Sequence, residues 1–278
     1  MIMKKPDTLP HVFTAWGDVL QSLSRAEKVL LGFDFDGTLS PIVERPELAF
    51  MEPEWGSLLN QLSSFQNLFV VILSGRSLDD LSKRINLDRV TLAGDHGLRI
   101  RLEDGTEYQP EHSETQAELR DIFGQIETFT RDIEGIHLEP KEFSLTIHYR
   151  SAPAGTSAIL ERALKKMLSG TSLRLQSGRM CWEINPDIGW NKGDAFEWIR
   201  AQYIGDNPRR FELYVGDDRT DEDVFKKMQT RGFPILVIST EKTGATNANF
   251  RLDSQAEVGI LLERLMEHIS ERSTKKSN

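Results

Sequence analysis

The run Val29-Leu-Leu-Gly-Phe-Asp-Phe-Asp-Gly-Thr-Leu-Ser-Pro-Ile42 constrains this chain most, because an almost unbroken apolar stretch ends abruptly in two carboxylates, a glycine and a threonine. Val29, Leu30, Leu31 and Phe33 leave hardly any polar face, the pattern of a central parallel strand covered on both sides. Asp34 then falls at the carboxyl end of that strand, the edge at which open α/β sheets bind ligands. Gly37 lets the backbone turn tightly enough to offer N–H groups to an anion. Two carboxylates one residue apart can divide labour, Asp34 as nucleophile and Asp36 as general acid and base. An ordinary Asp-Gly turn after a strand has the same letters, so partner groups later in the chain have to decide between the two.

The rest of the chain alternates in the same way. Val12, Phe13, Trp16, Val19, Leu20 and Leu23 predict a surface helix between His11 and Ala26. Leu68 to Leu73 reads as a second buried strand, ending in Ser74-Gly-Arg76, where the hydroxyl either binds a phosphate oxygen or starts the helix that Leu78 and Leu81 continue. Val90 to Ala93 is a third strand, followed by Gly94-Asp-His-Gly97, which sets His96 next to the same edge. From Leu98 the pattern changes, with a hairpin signalled around Asp104-Gly105. A helical stripe from Leu119 to Ile133, alternating segments at Ile136 to Leu138 and Phe143 to Tyr149, a second helix from Ile159 to Leu168, and alternating segments at Leu173 to Leu175 and Met180 to Ile184 predict a two-layer α+β domain. The expected organisation is a core over residues 1–100, an inserted domain over 101–186, and a return to the core over 187–278.

In that second core part, Asn191-Lys-Gly193 opens a helix and Phe211 to Val215 is a strand running into Gly216-Asp217-Asp218. Thr220 or Asp221 then caps a helix, Pro234 to Ile238 is a fifth core strand, and Ile260 to Ile269 closes the chain. Four features therefore reach one sheet edge in chain order: Asp34 with Asp36, Ser74, Lys192, and Asp217 with Asp218.

Charge sets what such an edge has to solve. The 278 residues carry a net charge of −9, which argues against a nucleic-acid partner and requires a locally basic pocket for any anionic substrate. The apolar runs are too short to span a bilayer, the start has no signal-peptide pattern, and a single cysteine, Cys181, excludes an internal disulfide framework, so a reducing cytoplasm and no membrane are expected. The six histidines are scattered without metal-ligand spacing.

Asp34-Phe-Asp-Gly-Thr38 resembles the nucleophile loop of the haloacid dehalogenase superfamily of phosphotransferases. Phosphoryl transfer through an aspartate fits the four features. The negative charge of phosphate and nucleophile needs neutralising, and Mg²⁺ held by the Asp34 carboxylate, the Asp36 carbonyl and Asp217, with Asp218 beside it, supplies hard-cation neutralisation. Lys192 and Ser74 supply further donors, and Gly37, Thr38 and Arg76 complete the expected phosphate-binding set.

Adding Gly94-Asp-His-Gly97, Ser144 to Arg150, Glu183-Ile-Asn-Pro186, Gly216 to Glu222 and Thr243-Gly-Ala-Thr246, the chain is similar over nearly its whole length to the trehalose-6-phosphate phosphatases. The resemblance implies an α/β fold, a Rossmann-like parallel-sheet core of the haloacid dehalogenase type with an inserted α+β cap domain. It also implies that Lys141, His148, Arg150, Arg179 and Glu183 of the cap, with His96 of the core, bind the sugar. Cys181 and Asn185 depart from the family, standing where many relatives carry a basic residue. The expected activity is Mg²⁺-dependent hydrolysis of trehalose 6-phosphate, a small-molecule sugar phosphate, by a chain acting as a monomer. The same chemistry on a glycosyl-glycerate phosphate or sucrose 6-phosphate is the nearest rival, and a silent sugar-phosphate sensor the rival of another class.

Overall fold

The computed structural model describes residues 3–43, 45–110, 113–178, 180–239 and 244–277. The chain divides into two compact units, Met1–Gln109 with Asn191–Asn278, and Pro110–Trp190. In the first unit a 3₁₀ turn at Pro6–Thr8 is followed by a second over Val12–Ala15 that leads into α1 (Trp16–Arg25), so the expected helix starts in a tighter coil. It continues through β1 (Lys28–Asp34), α2 (Pro53–Ser63), β2 (Leu68–Leu73), α3 (Leu78–Arg84), β3 (Val90–Gly94), β4 (Arg99–Arg101) and β5 (Glu107–Tyr108). The second unit holds α4 (Ser113–Thr130), β6 (His137–Pro140), β7 (Leu145–His148), α5 (Thr156–Met167), β8 (Leu173–Gly178) and β9 (Cys181–Pro186). The first unit resumes with α6 (Lys192–Tyr203), β10 (Arg210–Gly216), α7 (Glu222–Met228), β11 (Phe233–Val237), β12 (Phe250–Leu252) and α8 (Ala256–Ser277).

Among the described residues the first unit has one eight-stranded sheet in the order β12-β11-β10-β1-β2-β3-β4-β5. It is parallel from β12 to β3 and antiparallel over its last two pairs. β1 lies in the interior of the sheet and is buried on both faces, as its apolar composition requires. One glycine in that strand is forced: a Cβ on Gly32 would stand 2.6 Å from the Tyr214 ring and 2.8 Å from Phe196. The register sets Phe33 beside Val215 and Asp34 beside Leu73, so β1, β2 and β10 end at one level.

The hairpin at Asp104-Gly105 belongs to this sheet and not to the inserted part. Ile100, fully buried, pairs with Ala93 of β3, which carries the first unit to Gln109 instead of residue 100. The chain returns at Asn191, at the start of α6, rather than at residue 187. The closing helix is longer than its apolar stripe indicates, running from Ala256 to Ser277.

The second unit is an antiparallel sheet in the order β6-β7-β9-β8. Leu145, Ile147, Leu173 and Ile184 bury their side chains with Leu119, Ile122 and Ile126 of α4 and Leu160 and Leu164 of α5. Period-2 alternation puts the polar residues on the other face. Glu139, Thr146, Glu183 and Gln176 stand side by side across all four strands, next to a row of His137, His148, Cys181 and Gly178.

Candidate active site

Asp34 closes β1 almost fully buried, and its Oδ1 accepts a 2.6 Å hydrogen bond from Lys192 Nζ. Lys192 is the first residue of α6, and Asn191 and Asp194 fix that helix start through a reciprocal capping box. The same ammonium donates to Asp221 Oδ1 at 2.8 Å. Asp221 is the residue that sequence reasoning undervalues. It stands at the cap position of α7, yet its carboxylate does not cap that helix. It turns back to accept the N–H groups of Asp217 and Asp218 at 3.1 and 3.0 Å and the Tyr214 hydroxyl at 2.8 Å. The room that Gly32 leaves for the Tyr214 ring is thus part of the same construction.

Asp34, Asp217 and Asp221, all buried, each present a carboxylate oxygen, and these oxygens lie within 4.8 Å of one another. Gly37, at φ +88°, approaches so closely that an added Cβ would stand 2.2 Å from Asp217 Oδ2. Asp34 Oδ2 is buried with no hydrogen-bond partner among the described residues. Asp34 and Asp221 share the Lys192 ammonium, with the Asp217 carboxylate beside them. Burial pushes the Asp34 carboxyl well above its ordinary range; Lys192 opposes the rise, while Asp221 and Asp217 add to it. Three clustered hard oxygen donors and an unused buried lone pair on Asp34 fit a divalent cation. Asp218, expected in this set, is only half-buried, accepts its neighbour Arg219's N–H, and stands outside the cluster, whose third carboxylate is Asp221.

The loop after β1 is knitted to itself. The Gly37 N–H donates to the Ser40 carbonyl at 2.8 Å, and the Thr38 and Ser40 N–H groups reach the Phe35 carbonyl at 3.3 and 2.8 Å. Thr38 Oγ1 is buried without a hydrogen-bond partner among the described residues. The Asp36 carboxylate, 38% exposed, is gripped by Arg76, whose Nε and Nη2 donate to its two oxygens at 2.8 and 2.7 Å.

Ser74 is buried beyond β2, and its Oγ accepts the Arg76 N–H at 3.1 Å. The Gly94–Gly97 loop interlocks with it: the His96 N–H donates to the Ser74 carbonyl at 3.0 Å and the Asp95 N–H to the Arg76 carbonyl at 2.6 Å. Asp95 and His96 are both left-handed, at φ 51° and 56°, and the His96 imidazole lies over Gly75, where a Cβ would meet it at 2.7 Å. Asp34, Asp36, Gly37, Thr38, Ser74, Arg76, His96, Lys192 and Asp217 are therefore gathered at the carboxyl ends of β1, β2, β3 and β10.

In the second unit, Glu183 and His148 share the sheet face opposite α4 and α5, and Lys141 follows β6. Glu139 links two of them, accepting from His148 Nε2 at 2.8 Å and lying 3.8 Å from Lys141 Nζ. Alternation along His137-Leu-Glu139 marks Glu139 as a face residue, but only the register places it beside His148. Arg150 is exposed in the turn after β7, Cys181 is buried, and Arg179 lies outside the described residues.

A parallel sheet whose central strand ends in a buried aspartate, joined there by a lysine and two further carboxylates, with an α+β unit inserted in the chain, defines an α/β protein with a core of the haloacid dehalogenase type. Within that class a family model of trehalose-phosphatase matches residues 32–256, and the chain belongs to this family. It is 34% identical over 270 residues to a trehalose-phosphate phosphatase of Mycobacterium tuberculosis, a match covering 91% of this chain. The chain spans 66% of the length of that relative. Its fold is similar to the C-terminal domain of Candida albicans trehalose-6-phosphate phosphatase, with a TM-score of 0.79 at 24% identity over 93% of this chain and 99% of that one. A trehalose-6-phosphate phosphatase of Aspergillus fumigatus matches with a TM-score of 0.68 at 27% identity, over 93% and 99% of the two chains.

Proposed function

We propose that this chain is a Mg²⁺-dependent phosphatase that hydrolyses trehalose 6-phosphate to trehalose and phosphate through an aspartyl-phosphate. The observation that carries this reading is Asp34: one oxygen is held by Lys192 at 2.6 Å and the other is buried without a hydrogen-bond partner among the described residues. An Asp34 oxygen attacks phosphorus, the bond from phosphorus to the sugar oxygen breaks, and Asp36 gives that oxygen its proton. Asp36 then takes a proton from the water that attacks the acyl phosphate, which releases phosphate and restores Asp34. Lys192 offsets the charge of nucleophile and phosphate, with Ser74, Gly37, Thr38 and Arg76 around the phosphate. When bound, Mg²⁺ at Asp34, Asp217 and Asp221 supplies the remaining neutralisation of charge on the transferred group.

The sugar is read by Lys141, His148, Arg150, Arg179 and Glu183, with His96. What supports this is the row of acceptors and donors on the sheet face of the second unit opposite its helices, side chains suited to hydroxyl groups. The chain acts in the cytoplasm as a monomer. Among the described residues no helix is long and apolar enough to cross a membrane.

The test is phosphate release from a panel of sugar phosphates and one small aryl phosphate. Trehalose 6-phosphate should lead the panel. Glu183→Ala should cut its kcat/KM by on the order of 10²-fold, because sugar hydroxyls lose their acceptor, and barely touch the aryl substrate. A different preferred sugar, or equal loss on both substrates, would overturn the substrate assignment.

A further inference from the structure

A line of charged side chains leads away from the carboxylate assigned as general acid, and the proposed reaction leaves most of it unused. Arg76 spends Nε and Nη2 on Asp36 at 2.8 and 2.7 Å, and its third arm, Nη1, donates to Asp80 Oδ2 at 2.8 Å. Asp80 also receives Arg84, from Nε at 2.8 Å and Nη2 at 2.9 Å. Arg84 Nη1 then donates to the carbonyls of Glu47 and Ala49 at 3.2 and 2.9 Å, in the segment after the nucleophile loop. Both guanidinium groups lie over aromatic rings, Arg76 over Phe35 at 5.5 Å and Arg84 over Phe50 at 5.3 Å. Asp80 is itself anchored, its N–H donating at 3.2 Å to Ser77 Oγ, the cap of α3.

A guanidinium is a rigid plane, so fixing one edge fixes the direction of the other. Asp36 sits on a loop with a partly exposed side chain, whereas Asp80 sits on a capped helix. We propose that Asp80 is a positioning residue for Asp36, acting through Arg76, an inference that rests on the phosphatase reading above. Asp80 holds the Arg76 plane at the angle that presents two donors to Asp36. Arg84 keeps the Asp80 carboxylate from swinging and ties its position to the 47–49 segment. The carboxylate that must meet both the leaving oxygen and the incoming water is thereby aimed from outside the loop that carries it.

The test compares wild type, Asp36→Asn, Asp80→Ala and the double variant on trehalose 6-phosphate and on 4-nitrophenyl phosphate, whose leaving group needs little protonation. Asp80→Ala should lower kcat for the sugar substrate roughly tenfold, part of the 10²- to 10⁴-fold that general acid–base groups contribute, with KM within about twofold. The pre-steady-state burst of nitrophenolate should fall less than about threefold. In the Asp36→Asn background, adding Asp80→Ala should cost nothing further, because the residue it aims is already disabled.

Losses that multiply in the double variant, equal losses on both substrates, or a rise in KM alone would overturn the proposal. Asp80→Asn provides a second variant if alanine is not tolerated, and failure of both to fold would make Asp80 structural and end the inference. If Asp36→Asn itself shows no difference between the two substrates, the phosphatase mechanism fails. If Asp36→Asn shows it and the Asp80 variants do not, the positioning role alone fails.

Discussion

Lys192 and Asp221 form an ion pair of 2.8 Å with both side chains essentially removed from solvent. Burial alone discharges such groups, yet here the pairing outweighs it: Asp221 and Asp34 hold the Lys192 ammonium well above its usual range, and Lys192 with its hydrogen bond holds Asp221 below the usual carboxylate range. Asp34, sharing that one ammonium, is pushed the other way. Asp221 is thus the standing counter-ion of Lys192, and Asp34 is left the less stabilised anion, as suits the proposed nucleophile.

Removing Asp221 should therefore damage the fold as well as the site. Asp221→Ala strips partners from the Lys192 ammonium, the Tyr214 hydroxyl and two backbone N–H groups at once. Breaking one side of a buried pair costs about 3–5 kcal/mol, which chemical denaturation will show as a lower midpoint. Near-wild-type stability with only metal affinity lost would reduce Asp221 to a ligand.

Asp34→Asn should behave differently, since Asp221 still partners Lys192. An amide cannot form the acyl phosphate, so phosphate release should fall by on the order of 10³-fold or more while the circular dichroism spectrum and melting temperature stay close to wild type. Substantial turnover by a folded Asp34→Asn protein would remove it as nucleophile.

EDTA should stop hydrolysis and Mg²⁺ should restore it, whereas Ca²⁺, preferring looser and higher coordination, should inhibit. Gly37→Ala bears on the same site from the backbone side: its Cβ would meet Asp217 Oδ2 at 2.2 Å, in a left-handed conformation costing about 1–2 kcal/mol for a residue with a side chain. The Mg²⁺ concentration for half-maximal activity should rise at least tenfold. Full activity of a metal-free preparation would defeat the metal assignment.

Acid should reveal the Asp80 linkage in stability. Burial raises the Asp80 pKa, but the hydrogen bonds from Arg84 and Arg76 win and hold it below its ordinary value. A carboxylate depressed in the folded state contributes stability that is complete above its unfolded pKa of about 3.9 and is lost as pH falls through the lower folded value. The stability difference between wild type and Asp80→Asn should be constant above about pH 5 and shrink steadily below about pH 4. A difference that stays constant into strong acid would exclude this linkage.

Much of the site is legible in the sequence because strand ends announce themselves. Asp34, Ser74 and Asp217 each come directly after an apolar run, and Lys192 opens a helix behind a polar cap, so their common edge results from parallel pairing. Asp221 is not legible in that way. It looks like a helix cap, and its use depends on the turn after β10 folding back on itself. Alternation marks the hairpin at Asp104-Gly105 but cannot say which sheet it joins, which the pairing of buried Ile100 with Ala93 decides. β12, three residues long and half-buried, is too short to carry a period. Gly37 stands out in the sequence for the turn it permits, whereas its close approach to Asp217 exists only once residues far apart in the chain are packed.

The pairing of Lys28 with Arg210, beside β2, also orders events during synthesis. β1 gains one neighbour soon after it leaves the ribosome, but the strand for its other side is not made until the whole Pro110–Trp190 unit has emerged. Until then, Val29 to Phe33 present an apolar edge with open hydrogen bonds, the kind of surface that recruits foreign strands. A nascent chain stalled before Arg210 carries Asp34 without the lysine-paired carboxylate at Asp221 and without a closed sheet. The longer the inserted unit takes to emerge, the longer β1 waits with that edge uncovered.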